Sequence, residues 1–420
     1  MNIYNVLTII VFVIGYFFIT IEHIVKINKT AIALLMAVLC WILQFLHFSQ
    51  SHEENLAAFY VHIANTSQVV FFLLGALAIV EAISAHRGFN IISQYIKIRS
   101  KRKLLWLIGI LAFFLSAVLD NLTTTIIMVT LIRKFIEKGE ERLLVGGAVV
   151  IAANAGGAWT PIGDITTTML WIGGQISTLV IMRDLFIPSL VCMIAALLLV
   201  GISLKGKFKS VGEIDKTTEP MGKLVFWLGI GCLAFVPIFK ILTGLPPFMG
   251  VLLGVGIIWV ITDIGHRKSR EHRQHLHLPH IITQSDISSV LFFLGILLSI
   301  DALDMSGMLE EMALWMDSKI SNPHMIAIVL GLISAVIDNV PLVAAIMGMY
   351  GIADHAVDSS FWQLVAYCAG TGGSILVIGS AAGVAFMGME KVQFFWYLRR
   401  VGIPAIVGYF AGIGIYLLLL

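Results

Sequence analysis

Apolar runs of about 17–25 residues, the length a helix needs to cross hydrocarbon, recur along the whole chain. Ten of them read as full spans, near residues 4–21, 30–48, 67–84, 143–171, 184–204, 223–241, 247–264, 287–303, 361–389 and 401–420. The runs are continuous rather than alternating, so helices and not a barrel are expected. Two further apolar segments, 104–135 and 324–350, carry polar residues at their centres. The first contains Ser116-Ala117-Val118-Leu119-Asp120-Asn121-Leu122-Thr123-Thr124-Thr125, and the second Ser334-Ala335-Val336-Ile337-Asp338-Asn339-Val340-Pro341.

The charged residues orient these elements. Loops rich in Lys and Arg (26–29, 87–103, 133–142, 205–223, 266–273, 391–400) alternate with neutral or acidic ones (49–66, 243–247, 304–322, 351–360). Cytoplasmic loops carry the basic excess, so ten spans place both termini outside. Segment 104–135 is basic at both ends, and its 32 residues are too few for two crossings at about 1.5 Å per residue. It is therefore expected to be a re-entrant hairpin from the cytoplasmic side, with Asp120-Asn121 at its tip. Segment 324–350 has acidic flanks and is expected to enter from outside, with Asp338-Asn339 at its tip.

Composition agrees with this reading. The 420 residues are 59% hydrophobic and 12% charged, with a mean hydropathy of +0.95. That describes a polytopic membrane protein in contact with lipid, neither a soluble enzyme nor a nucleic-acid binder. The first apolar run lacks a preceding basic region and a cleavage site, so a retained span is expected rather than a cleaved signal. Cys40, Cys192, Cys232 and Cys368 lie in apolar runs without metal-ligand spacing and read as small core residues.

The two halves align. Phe72, Leu74, Gly75, Leu77 and Ala82 match Phe292, Leu294, Gly295, Leu297 and Ala302 at an offset of 220. The polar hairpin strings match at 218, and Gly156-Gly157 with Ile162-Gly163 match Gly372-Gly373 with Ile378-Gly379 at 216. Each half has five spans and one hairpin; five is odd, so the second half is expected upside down. The expected fold is all-α, with two inverted repeats (1–204 and 223–420), a cytoplasmic linker (205–222) and broken helices at the midplane, the plan of secondary transporters. Amphipathic segments 85–102 and 305–320 are expected along opposite faces.

Chemistry concentrates where helices should break. Residues 153–168 interrupt a span with two glycines and a proline, and 370–374 followed by Gly379-Ser380 is the counterpart. Unwound backbone at membrane depth is tolerated where it is buried in protein or lines a cavity. The oxygen-bearing candidates are Asp120, Asn121, Thr123, Thr124, Asn154, Thr160, Asp164, Thr166, Thr167, Asp338, Asn339, Thr371, Ser374 and Ser380. Asp120, Asp164 and Asp338 are the candidate sodium ligands, since oxygen ligands suit a small hard cation. A carboxylate in a poorly hydrated cavity holds a proton or a metal cation, but not comfortably both. Asp120 and Asp338 could also cap tip amides, and Asn121 and Asn339 read more readily as tip-stabilising than as liganding. One of Thr123 and Thr124 should face the site. Glu81 and Asp301 read as interfacial, with a proton-relay role as the alternative, and His266, His272, His275, His277 and His280 as a solvated cytoplasmic loop, with a pH sensor or a metal tract as the alternatives.

On the Asp120 string, the Asp338 string, and Asn154-Ala155-Gly156-Gly157-Ala158-Trp159-Thr160-Pro161-Ile162-Gly163-Asp164-Ile165-Thr166-Thr167-Thr168-Met169-Leu170-Trp171, the chain resembles the NhaD-type sodium/proton antiporters of the ion transporter superfamily. The resemblance covers essentially the whole chain. It implies exit of Na+ or Li+ in exchange for H+, with no cofactor, and a dimerising scaffold against which a transport part moves. It marks Asp120, Asn154, Asp164, Thr166, Thr167 and Asp338 most strongly, and implies a bacterial cytoplasmic membrane. An anion transporter of the same superfamily is the alternative; hairpin tips without carboxylates would favour it.

Overall fold

The structure, a computed structural model, describes residues 3–47, 52–95, 100–207, 219–267, 275–284 and 286–420. Among these, eight helices are long and apolar enough to cross a membrane, and the protein is a multi-pass, all-helical membrane protein. The first half contains α1 (Ile3–Thr20), α2 (Lys29–His47), α3 (His52–Ala85), α4 (Lys101–Ser116), α5 (Asn121–Phe135), α6 (Glu140–Gly157), α7 (Ile165–Ile172) and α8 (Thr178–Ser203). The second contains α9 (Gly222–Thr243), α10 (Pro247–His266), α11 (Ile287–Met305), α12 (Pro323–Ile333), α13 (Asn339–Met349), α14 (Ser360–Gly372), α15 (Ala381–Glu390) and α16 (Ile403–Leu419).

The two segments with polar centres are helix pairs, α4–α5 and α12–α13. The first helix of each pair ends at Ser116 or Ile333, a few residues before the Asp-Asn, and the second starts with the Asp as N-cap. The two glycine-interrupted spans are also broken, into α6–α7 and α14–α15. Some boundaries differ from the sequence expectation. Helix α3 starts at His52, fifteen residues before Ser67; its first turns carry Glu53 and Glu54, which suit a helix N-terminus but interrupt an apolar run. The amphipathic 85–102 segment contains only a short helix, Asn90–Tyr95, and residues 96–99 lie outside the described ones. Its counterpart is a full helix, Met308–Lys319. The linker is described only at its ends.

Two packed bodies result. In one, α2 packs on α11 and α10 on α3, with α1 against α2 and α9 against α10. In the other, α4 packs on α6, α12 on α14, α5 on α15 and α8 on α16. Between the bodies, α3 meets α7 and α11 meets α13. At the C-terminal ends of α5 and α15 a buried carboxylate, Glu390, accepts from Arg133 Nε at 2.7 Å and from Arg142 Nη2 at 2.8 Å. The arginines that served as orientation signals in the sequence thus also clamp three elements, and desolvating a lone Glu390 would be costly without them.

Candidate functional site

Four half-helices, α5, α7, α13 and α15, begin at the chain breaks, and each is capped by a side chain. Asp120 Oδ1 accepts from Thr123 N at 2.6 Å, Asp164 Oδ1 from Thr166 N at 3.2 Å, Asp338 Oδ1 from Val340 N at 3.4 Å and Ser380 Oγ from Gly383 N at 3.2 Å. The reason is local. The first amides of a helix have no carbonyl partner within it, and a short acceptor at the N-cap supplies one.

The residue after each hairpin cap is turned about 100° further around the helix and points elsewhere. Asn121 Nδ2 donates to Asp164 Oδ2 at 2.8 Å and to Asn154 Oδ1 at 3.0 Å. From the opposite hairpin, Asn339 Nδ2 donates to the same Asp164 Oδ2 at 3.2 Å. Asn154 Nδ2 donates to Ser374 Oγ at 2.8 Å and Ser380 Oγ at 2.9 Å. One continuous network therefore runs from both hairpin tips through both broken spans, and every member of it is buried. Asp164, 2% exposed, is its only carboxylate. Asp120 and Asp338 flank it closely enough for their charges to act on it, and Lys29 acts on Asp338.

The arrangement can exchange donors for acceptors. An Asn amide presents NH2 on one side and oxygen on the other. Rotation of Asn121 or Asn339 would turn a donor toward Asp164 into an acceptor for a cation bound there. Ser374, Ser380 and Asn154 add further oxygens.

The sequence candidates divide into three groups. Asn121, Asn154, Asp164, Asn339, Ser374 and Ser380 meet in the network. Asp120 with Thr123, and Asp338, cap their own helices beside it; Thr123 Oγ1 donates to Asp120 Oδ2 at 2.7 Å. The rest turn to backbone: Thr160 Oγ1 to Ala117 O at 2.7 Å, Thr167 Oγ1 to Asp164 O at 2.9 Å, and Thr371 Oγ1 to Tyr367 O one turn back at 2.6 Å. Thr166 contributes the amide that caps with Asp164, and Thr124 is buried. The histidine loop differs from its expectation. His266 is fully buried, with its Nε2 3.0 Å from His86 Nε2, because it ends α10 against the end of α3 rather than starting the loop. His277 sits 3.1 Å from Asp263, and His272 lies outside the described residues.

Two cavities flank α3 and α11 where they face the other body. One, of about 70 Å³, is mostly apolar and reaches Asp120 and Thr123, with Asp286 and Ser289 along it. The other, of about 310 Å³, lies toward the opposite ends of α3 and α11.

The sequence model of the family described as "Citrate transporter" matches residues 15–370. The chain is 53% identical over 412 residues to Sodium/proton antiporter 1 of Arabidopsis thaliana, covering 97% of this chain and 71% of that one. It is 51% identical over 417 residues to Sodium/proton antiporter 2 of the same plant, covering 97% and 98%. It is 30% identical over 411 residues to the Na(+)/H(+) antiporter NhaD of Vibrio parahaemolyticus, covering 90% and 97%.

Proposed function

The chain belongs to the NhaD-type sodium/proton antiporters, a transporter family and not an enzyme family, and from that premise we propose that it exchanges cytoplasmic Na+ or Li+ for external H+ at Asp164. The observation that carries the proposal is the single buried carboxylate at the junction of both hairpins and both broken spans. With the amides of Asn121 and Asn339 donating to it, Asp164 is satisfied without a metal. A proton neutralises it directly. A sodium ion would take its place among Asp164, the Asn154 oxygen and the Ser374 and Ser380 hydroxyls, with the Asn amides turned to present oxygen. Proton and cation then compete for one carboxylate, while Asp120 and Asp338 hold the field around it negative.

The halves 1–204 and 223–420 are read as inverted repeats joined by linker 205–222. Support comes from the paired packing of α2 on α11 with α10 on α3, of α4 on α6 with α12 on α14, and of α5 on α15 with α13 on α7. The body built from α1–α3 and α9–α11 is read as the scaffold and the other as the moving part. A homodimer through the scaffold, a bacterial cytoplasmic membrane and external termini belong to the same reading; charge placement supports the orientation.

An anion carrier is the second reading, and the citrate description of the matching family favours it. So does the convergence of four helix N-termini, the positive ends of their dipoles. Three of those ends already carry Asp120, Asp164 and Asp338, however, and a carboxylate substrate would meet like charge. In everted vesicles holding a proton gradient, added Na+ or Li+ should dissipate the gradient, citrate should not, and Asp164→Asn should reduce the response to that of empty vesicles with the protein still inserted. An unaltered response in Asp164→Asn removes that residue from the mechanism; a response to citrate alone supports the second reading.

A further inference from the structure

The larger cavity has two unlike walls. The scaffold wall presents His62 and Thr66 from α3 and Asp301 and Asp304 from α11; the facing wall presents Met169 of α7 and Met347 of α13. His62 Nδ1 lies 3.4 Å from Asp301 Oδ1, and Thr66 Oγ1 donates to Asp301 Oδ2 at 2.8 Å. The two side chains are 21% and 24% exposed, so they are held in place and still open to the cavity.

We propose that His62 and Asp301 are the station at which external protons enter the exchange cycle. The proposal rests on the antiport reading above, including its orientation, which puts these ends of α3 and α11 on the outer side.

Three observations support it. First, imidazole is the side chain whose unperturbed titration falls within pH 5–8, and here it is paired with a carboxylate. A proton from outer water converts neutral His62 beside Asp301 carboxylate into an imidazolium–carboxylate pair. Its release into the cavity restores the neutral ring, and only the proton has moved. Secondly, the facing wall leads to the central site. Helix α7 starts at the Asp164 cap, and Met169 is five residues on, roughly 7.5 Å along the axis at 1.5 Å per residue. Helix α13 starts likewise at the Asp338 cap.

Thirdly, the two sides of the membrane are not equivalent. At the repeat offset of 220, Asp301 corresponds to Glu81 and Thr66 to Asp286, but His62 corresponds to Ile282. Carboxylates therefore recur beside the cytoplasmic cavity and the imidazole does not. The groups facing His62 are Asp301 and Asp304 on α11 and the Trp41 ring on α2, whose centroid is 5.9 Å away. Glu310, on the following helix, acts on Asp304. The cavity-lining residues of α7 and α13 include no titratable side chain.

The test uses the full chain in proteoliposomes, with sodium-driven proton flux followed while the pH on one face is varied and the other is fixed. His62→Gln should move the apparent pK of the outer-face profile by about one unit or more and slow exchange there about tenfold. Half-saturation by sodium and the inner-face profile should stay as in the wild type. Asp301→Asn should act in the same direction. Thr66→Ala, which removes only the hydroxyl and is the variant most certain to fold, should give a smaller shift on the outer face alone. Wild-type outer-face profiles in all three variants, or equal shifts on both faces, overturn the station while leaving the exchange reading intact. A wild type that couples no proton flux to sodium overturns both.

Discussion

At the scale of single residues, the centre of the site is set by what each cap leaves free. Asp120 and Asp338 stand out in the sequence as carboxylates in hydrocarbon, yet each turns to its own helix, Asp120 through both oxygens and Asp338 through one. The asparagines beside them are the residues that cross to Asp164. Sequence alone could place an oxygen-rich site near these positions. It could not separate cap from crossing residue, because that depends on a helix starting at one residue rather than the next. Asn154 shows the same limit: as a candidate ligand it was legible, but its role as connector between Asn121 and two serines of the other half was not. Replacing Asn154 by Ala removes hydrogen bonds worth about 0.5–1.5 kcal/mol each and leaves the Asn121 amide with Asp164 as its one remaining partner in the network. Exchange in Asn154→Ala should fall by about 100-fold, measured as initial sodium-dependent proton flux at equal protein in vesicles. Flux within a factor of about two of the wild type would remove Asn154 from the working site, since the loss of even one such bond corresponds to more.

At the scale of elements, the helix breaks within the two polar-centred segments and the two glycine-interrupted spans were the most readable parts of the fold, because polar residues, glycine and proline at the centre of an apolar segment permit few continuous helices. What held them together was hidden in the glycines. A Cβ at Gly156 would lie 2.1 Å from the Phe113 carbonyl oxygen, and one at Gly372 would lie 2.0 Å from the Gly331 carbonyl oxygen. Helix α6 thus touches the backbone of α4, and α14 that of α12, at equivalent points of the two halves. Double glycines suggested unwinding in the sequence; in the structure Gly156 and Gly372 are still helical, and their main service is close approach. Backbone cannot yield as a flexible side-chain end can. Gly156→Ala and Gly372→Ala should each lower thermal stability strongly, by about 1–3 kcal/mol as overpacked core substitutions do, and should open the hairpin tips. Gly388→Ala, in α15 with nothing within 4 Å, is the matched control; it should be neutral or stabilising by up to about 1 kcal/mol. Detergent-solubilised melting curves of the three variants distinguish these outcomes, and equal melting of Gly156→Ala and the control would mean that the contact is readily relaxed.

At the scale of the whole molecule, the proposed division into a scaffold and a moving part requires the scaffold helices to hold together, and one contact between them is made by two histidines. His86 follows α3 directly, and His266 ends α10; both rings are fully buried. The Ala82 carbonyl accepts from His86 Nδ1 at 2.8 Å, so His86 Nε2 is left as the acceptor for His266 Nε2–H, 3.0 Å away. This arrangement holds one proton between the two rings; a second would place like charges in contact. Burial pushes the His86 pKa below its ordinary 6.5, against the opposing influence of the Ala82 carbonyl and Glu219, while His275 adds to the lowering. The sign follows: an opened or unfolded state binds a proton at His86 more readily than the packed one, so stability rises with pH wherever that difference is expressed. The contribution is complete above the ordinary value and is lost as pH falls from about 6.5 toward the lowered value. The melting temperature should therefore fall between about pH 7 and pH 5 by more in the wild type than in His86→Gln, which carries no titrating ring. The other carboxylates and histidines titrate in both proteins, so the difference between the two slopes isolates the His86 contact. A variant with the wild-type slope would assign the acid loss to those other groups and leave the α3–α10 contact without a role in it.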